Sequence, residues 1–135
     1  MRTGKFIALK LLKIFDINDV KMRDSCIKEV KLMEKLEHPN ITQYVESFIH
    51  DNEMFIAVEW AEQGDLKNFI KVIKDKGETI PEIQIWRYTL QLAGALQHML
   101  KMRVMHRDLK PANIFIDSEG NLKLGDLGLS RDFSS

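Results

Sequence analysis

Apolar positions in the first half of the chain come in short, dense runs. KFIALKLLKIF (5–15) mixes β-branched and aromatic residues with few breakers and predicts a strand. From about Asn18 or Asp19 to Glu37 the spacing becomes helical, and His38-Pro39-Asn40 stops the helix. At about 100° per residue, Leu32, Leu36, Met22, Met33, Cys26 and Val30 form one apolar arc. Glu29 lies close to the middle of that arc, where a carboxylate is out of place unless it has a partner. ITQYVESFI (41–49) and MFIAVEW (54–60), separated by His50-Asp51-Asn52-Glu53, predict a hairpin.

After Glu62-Gln63-Gly64-Asp65 the pattern turns helical. A short helix is predicted near 65–75, and a long one from Pro81, at its first helical position, to about Met102. In the long helix Trp86, Leu90, Ala93, Leu96 and Leu100 follow one stripe, and Ile85, Tyr88, Leu92, Ala95 and Met99 widen it. Such a helix is meant to be surrounded, which assigns Trp86 and Tyr88 to the core. Only a short strand pair follows, near 113–117 and 121–125, joined by Ser118-Glu119-Gly120. Two short strands cannot cover such a helix, so the chain is expected to end before its core does.

Composition narrows the class. The length of 135 residues suits one domain or a piece of a larger one. Twenty Lys and Arg balance twenty Asp and Glu, which gives no reason to expect nucleic acid or a membrane surface as partner. The one cysteine, Cys26, reads as a buried, reduced thiol. With no bilayer-spanning apolar run and no signal-peptide pattern at the start, a soluble cytosolic or nuclear protein is expected.

The densest chemistry lies in 104–130, VMHRDLKPANIFIDSEGNLKLGDLGLS. His106-Arg107-Asp108 is followed five residues after the aspartate by Asn113, and Asp126-Leu127-Gly128 comes after the strand pair. That set suits phosphoryl transfer: one carboxylate orients a hydroxyl nucleophile, while an Asn and a second Asp hold a metal on the phosphates. Oxygen ligands without a Cys or His cluster favour Mg²⁺ over zinc. Lys110 would offset charge on the transferring group.

On these motifs the chain resembles a eukaryotic protein kinase, with Ala8-Leu9-Lys10 on the third strand of the small lobe, a glutamate on the next helix, HRDLKPAN, and a DLG variant of the DFG motif. Lys110 points to the Ser/Thr type. LEHPNI, SFIHDNE, WAEQGDL, RVMHRDLKPANIFI and KLGDLGLSRDFSS are most similar to the short NIMA-related kinases. The resemblance implies an α+β, two-lobe kinase fold that is incomplete, running from strand 3 and helix C through the DLG motif. Residues 1–58 would form part of the N-terminal lobe and 59–62 the hinge. Residues 63–135 would form the first part of the C-terminal lobe, ending in the activation segment.

The same resemblance implies the site. Lys10 would bind the α- and β-phosphates of ATP with Glu29 as its ion-pair partner, Asp108 would be the catalytic base with Lys110 assisting, and Asn113 and Asp126 would hold Mg²⁺. Glu59-Trp60-Ala61 would grip adenine, Val58 would guard the back pocket, Ala8 and Phe115 would sandwich the ring, and Asp65 lies where many kinases contact ribose. Met33, Tyr44, His106 and Leu127 match the column of side chains that links the lobes. Core packing is the default for Tyr44; the alternative, drawn from NIMA-related kinases, is a tyrosine that turns into the ATP site and holds an inactive state. Protein substrates bearing Ser or Thr and a regulatory protein are the implied partners. The cytoplasm is the implied location, with the nucleus, microtubules or spindle as alternatives.

Taken singly, these residues have plainer readings: Asp126 as a turn residue, Lys10 as a solvated strand lysine, and His38, His50 and His98 as surface or core residues without metal spacing. KVIKDK and KEVKLMEK read as solvated faces. Only Gly4 precedes Ile7, where the resemblance calls for a glycine-rich phosphate loop, and the sequence stops at Asp132-Phe133-Ser134-Ser135, before the APE motif and the peptide groove. The isolated chain is therefore expected to fold weakly and to lack kinase activity. A non-catalytic truncated isoform acting as a decoy or binding module is the alternative, and a small-molecule kinase of the aminoglycoside type is disfavoured by Lys110-Pro111.

Overall fold

A computed structural model describes residues 6–13, 20–51 and 53–125. Its elements run β1 (Ile7–Leu12), α1 (Val20–Met33), β2 (Tyr44–His50), β3 (Glu53–Glu59), α2 (Leu66–Asp75), α3 (Glu82–Lys101), β4 (Ile114–Ile116) and β5 (Leu122–Leu124), with a 3₁₀ turn at Pro111–Asn113 before β4. The described residues fall into two compact units. Among the described residues, one takes those up to Glu37 and Gln43–Trp60; the other takes His38–Thr42 and those from Ala61 to Gly125. No described helix is long and apolar enough to cross a membrane.

The first unit is an antiparallel sheet in the order β1-β3-β2 with α1. Period-two alternation sends Leu12, Met54 and Ile56 to one face, where with Val30 of α1 they form a core joined by Ile27, Met33, Tyr44 and Val58. The opposite face carries Ile7, Leu9, Leu11 and Phe48, all exposed. The predicted hairpin is present, with His50 opposite Glu53, and Asp51 takes the left-handed conformation (φ 48°) in its turn. Its first strand starts at Tyr44 rather than Ile41, because Ile41 and Thr42 are bonded to β5 in the second unit.

Helix α1 ends at Met33, four residues before the expected Glu37. Lys35 and Leu36 donate to Leu32 and Met33 at 3.1 Å, so the chain tightens to i→i−3 bonds and delivers Leu36 to full burial from outside the helix. Leu32, expected on the buried arc, is at its exposed margin, and Ile27 takes a packing place instead. The side chains of Met22, Cys26 and Glu29 lie outside the described residues.

The second unit is built on α2, α3 and the β4–β5 pair. Asp65 caps α2 by accepting the Asn68 N–H at 2.8 Å. Pro81 is the N-cap of α3 rather than its first helical residue. Tyr88, Ala95 and Met99 are buried along one seam of α3, while Ile83, Trp86, Leu90 and Leu100 stand exposed. Trp86, expected in the core, is 58% exposed and donates to Glu82 one turn earlier at 3.1 Å. The width of the apolar face thus exceeds what the described residues bury.

β4 and β5 pair antiparallel, Ile114 opposite Leu124, around a turn in which Asp117 Oδ1 accepts from Glu119 and Asn121 and Gly120 takes φ 79°. Residues 38–42 lie parallel beside β5: Leu124 donates to Asn40 O at 2.8 Å, Thr42 donates to Leu124 O at 2.9 Å, and Asn40 Nδ2 donates to Leu122 O at 2.9 Å. Two short strands become a three-stranded patch with a buried amide stitching it.

Candidate active site

The end of α3 sets the entry to the site. After Met102 the chain reverses through Arg103 at φ 56°, with Val104 N–H returning to Met99 O at 2.9 Å, and leads on to His106. His106 is buried, and both ring nitrogens are used. Nε2 lies 2.7 Å from the Gly125 carbonyl, which can only accept, and Nδ1 faces the Asp108 N–H at 3.3 Å, which can only donate. These partners select the tautomer with its proton on Nε2. His106 is a fastener between this loop and the end of β5, and no free nitrogen remains for base catalysis.

Asp108 is held from two sides. Lys110 Nζ is 2.9 Å from its Oδ2. Asn113 Nδ2 donates to Asp108 O at 2.8 Å and to Oδ2 at 3.1 Å. Pro111 fits the first position of the 3₁₀ turn, which closes with Asn113 N–H on Lys110 O at 2.9 Å and brings the amide back over the aspartate. A carboxylate so held is pre-aimed by charge-assisted contacts. Asn113 is itself buried; its amide nitrogen is occupied, and its Oδ1 accepts no hydrogen bond among the described residues. A hard-cation ligand of the amide type needs such an oxygen.

The ladder of β4 and β5 extends one step past the strands, with Gly125 N–H on Asn113 O at 2.9 Å. The residue before Asp126 is thereby tied to Asn113. Asp126 and Leu127 themselves lie outside the described residues.

In the first unit Lys10 stands on β1 opposite Ile56, on the face that Leu12 contributes to the core beside Val30 of α1. The sheet and helix thus carry Lys10 and Glu29 in one unit, though the Glu29 side chain is outside the described residues. Ala8 is opposite Val58, which in turn is opposite Tyr44, so the back-pocket and ring-sandwich candidates share one register line. Glu59 N–H donates to Gln43 O at 2.9 Å, Trp60 is exposed, and Ala61 O accepts Gly64 N–H at 3.4 Å. In the second unit Asp65 and half-buried Phe115 are joined by a backbone bridge; the Oδ1 of Asp65 is spent on the α2 cap.

Of the proposed column, Met33 and Tyr44 pack on the first unit's core and His106 is buried in the second. The Tyr44 hydroxyl is hydrogen-bonded with Ser47 Oγ at 2.8 Å. Burial raises its pKa above the ordinary 10.0, the Ser47 hydroxyl opposes the rise, and the Glu34 carboxylate adds to it. Sequence reasoning missed Asn40, Thr42 and Gly125 as parts of the site's frame. The signal for Asn40 was a polar residue wedged between Pro39 and a strand-forming run; for Gly125 it was a glycine with no turn to serve.

Comparison with known proteins adds the family. The protein kinase domain family matches residues 1–135. The cell cycle serine/threonine-protein kinase CDC5/MSD2 of Saccharomyces cerevisiae is 37% identical over 128 residues, 95% of this chain and 18% of that protein. Serine/threonine-protein kinase Nek1 of Mus musculus is 35% identical over 132 residues, 98% of this chain and 11% of Nek1. Nek3 of the same organism is 40% identical over 108 residues, 80% of this chain and 21% of Nek3. The chain spans 11% of the length of one such relative and 38% of another.

Proposed function

The chain belongs to the protein kinase family, and from that premise we propose that the protein is a serine/threonine kinase of the NIMA-related type, transferring the γ-phosphoryl group of ATP to Ser or Thr of protein substrates. Protein kinases as a family use ATP with Mg²⁺. One observation carries the reading: Asp108 is fixed by Lys110 and Asn113, and the oxygen of Asn113 accepts no hydrogen bond among the described residues. Asn113 and Asp126 would hold Mg²⁺, which when bound neutralises phosphate charge. Lys10 would bind the α- and β-phosphates, and Val58, Glu59, Ala61, Ala8 and Phe115 would enclose adenine.

In the transfer, the substrate hydroxyl oxygen forms the new bond to the γ-phosphorus as the bond to the bridging oxygen breaks. Asp108 orients that hydroxyl and accepts its proton, and Lys110, 2.9 Å from the same carboxylate, offsets charge on the moving group. Labelled-phosphate transfer by the full-length protein to Ser/Thr peptides tests the proposal. Asp108→Asn should lower kcat by about 10²–10⁴-fold while ATP still binds; a wild-type protein that binds no ATP with Mg²⁺ overturns it. Cytoplasmic or spindle-associated action on protein substrates, under a regulatory partner, is part of the same proposal and is checked by imaging the tagged protein.

A second reading, a non-catalytic binding module, draws on the exposed Ile83, Trp86, Leu90 and Leu100 of α3. The same transfer assay decides between the two.

A further inference from the structure

Gly125 is pinned on both sides of its Cα. Its N–H donates to Asn113 O at 2.9 Å, and its carbonyl accepts from His106 Nε2 at 2.7 Å. Glycine is not needed there for conformation, since Gly64, Gly77 and Gly120 take positive φ among the described residues and Gly125 does not. It is needed for room. A Cβ built on this backbone would stand 2.8 and 2.9 Å from Phe115 Cε2 and Cδ2 and 3.0 Å from Thr42 Oγ1. Carbon atoms in ordinary contact are about 3.5–4.0 Å apart, so something would have to yield.

The backbone of Gly125 is tied, and the Thr42 side is closed. Thr42 donates its N–H to Leu124 O at 2.9 Å, and its buried hydroxyl has no hydrogen-bond partner among the described residues. The half-buried ring of Phe115 on β4 is the part that can move. We propose that the missing side chain at Gly125 sets the resting position of the Phe115 ring, and through it the fit of the purine base. Gly125 is thus a positioning residue for the nucleotide base. The inference rests on the proposed ATP site, because the contact of Phe115 with adenine belongs to that reading.

A methyl group at 125 meets the Phe115 ring, which the proposed site sets against the base, and not the side chains proposed to hold the phosphates. In the full-length protein, Gly125→Ala should raise KM for ATP roughly tenfold, with a smaller fall in kcat. It should weaken displacement of a fluorescent ATP analogue by ATP, and leave displacement by inorganic tripolyphosphate, which has no base, unchanged. Phe115→Ala removes the two clashing ring atoms, so Gly125→Ala combined with Phe115→Ala should match Phe115→Ala alone in ATP affinity and melting temperature. Should Gly125→Ala fail to fold, recovery of the fold in the double variant counts for the proposal and its absence against it. Equal loss of ATP and tripolyphosphate binding, an unchanged KM, or no recovery overturns it. A wild type that binds no ATP sinks the functional reading as well; a wild type that binds ATP beside a silent Gly125→Ala sinks this inference alone.

Discussion

The two β-hairpins meet the same demand by different means. The strands of β2–β3 are 7 residues each, those of β4–β5 only 3. β2 leaves most of its side chains in water, and its hairpin is held by ladder length, by β1 and by one buried face. In β4–β5, Ile114, Ile116, Leu122 and Leu124 are all buried, and neighbours from outside bind its backbone. Asn40 takes Leu122 O, Gln91 accepts Leu122 N–H, and Gln63 and Gly64 bond both sides of Ile116. Strand length therefore does not rank the hairpins. The shorter one is braced from more directions, and it is the one that presents Asn113 and Gly125 at its open end.

The largest expected effect contrasts the two cores. Leu122→Ala should cost about 2–5 kcal/mol in chemical unfolding. Phe48→Ala on β2, which loses only an exposed ring stacked 5.3 Å from Phe55, should cost under about 1.5 kcal/mol. Equal costs would break the comparison. Next comes the brace itself: Asn40→Ala strands the buried Leu122 carbonyl and should cost about 1–3 kcal/mol, against about 1 kcal/mol or less for Ser47→Ala in the long hairpin. Smaller still are the turns. Gly120→Ala places a Cβ at φ 79° and should cost about 1–2 kcal/mol, and Asp51→Gly at φ 48° should be within about 0.5 kcal/mol of neutral.

The smallest effect is a pH dependence in the bracing segment. Burial, then the neighbouring His98 and Lys123, hold the His38 ring below its ordinary 6.5, and its Nδ1 accepts the Asn40 N–H at 3.0 Å. A base whose folded pKa is lowered is held toward its neutral form by the fold. Its share of stability is whole above the unfolded value and is lost as pH falls through and below 6.5. Urea midpoints should drop over that range, and His38→Asn, which keeps an acceptor but cannot titrate there, should flatten the drop. An unchanged slope would sink the assignment.

Element types and order were legible because β1 to β3 are dense runs of β-branched and aromatic residues with few breakers, whereas α2 and α3 carry apolar residues at helical spacing. The chemistry was legible because His106, Asp108, Lys110 and Asn113 are close in sequence, so local geometry fixes most of their contacts. Ends were less legible. Where α1 stops depends on a 3₁₀ tightening that delivers Leu36, and where β2 starts depends on β5 claiming Ile41 and Thr42. Both are tertiary effects that periodicity cannot carry. Trp86 was misplaced because helical spacing says which residues share a face, not whether anything covers it. Gly125 was passed over because a glycine required for room leaves no local signature.

The bracing segment also sets a schedule. Asn40 and Leu122 are 82 residues apart, and at about 5–20 residues per second a ribosome needs roughly 4–16 s to make the intervening chain. Until then the Asn40 amide has no Leu122 carbonyl to bind, however well α2 and α3 have formed. The second unit is sealed by the last strand of the described chain, and its assembly during synthesis waits on three residues.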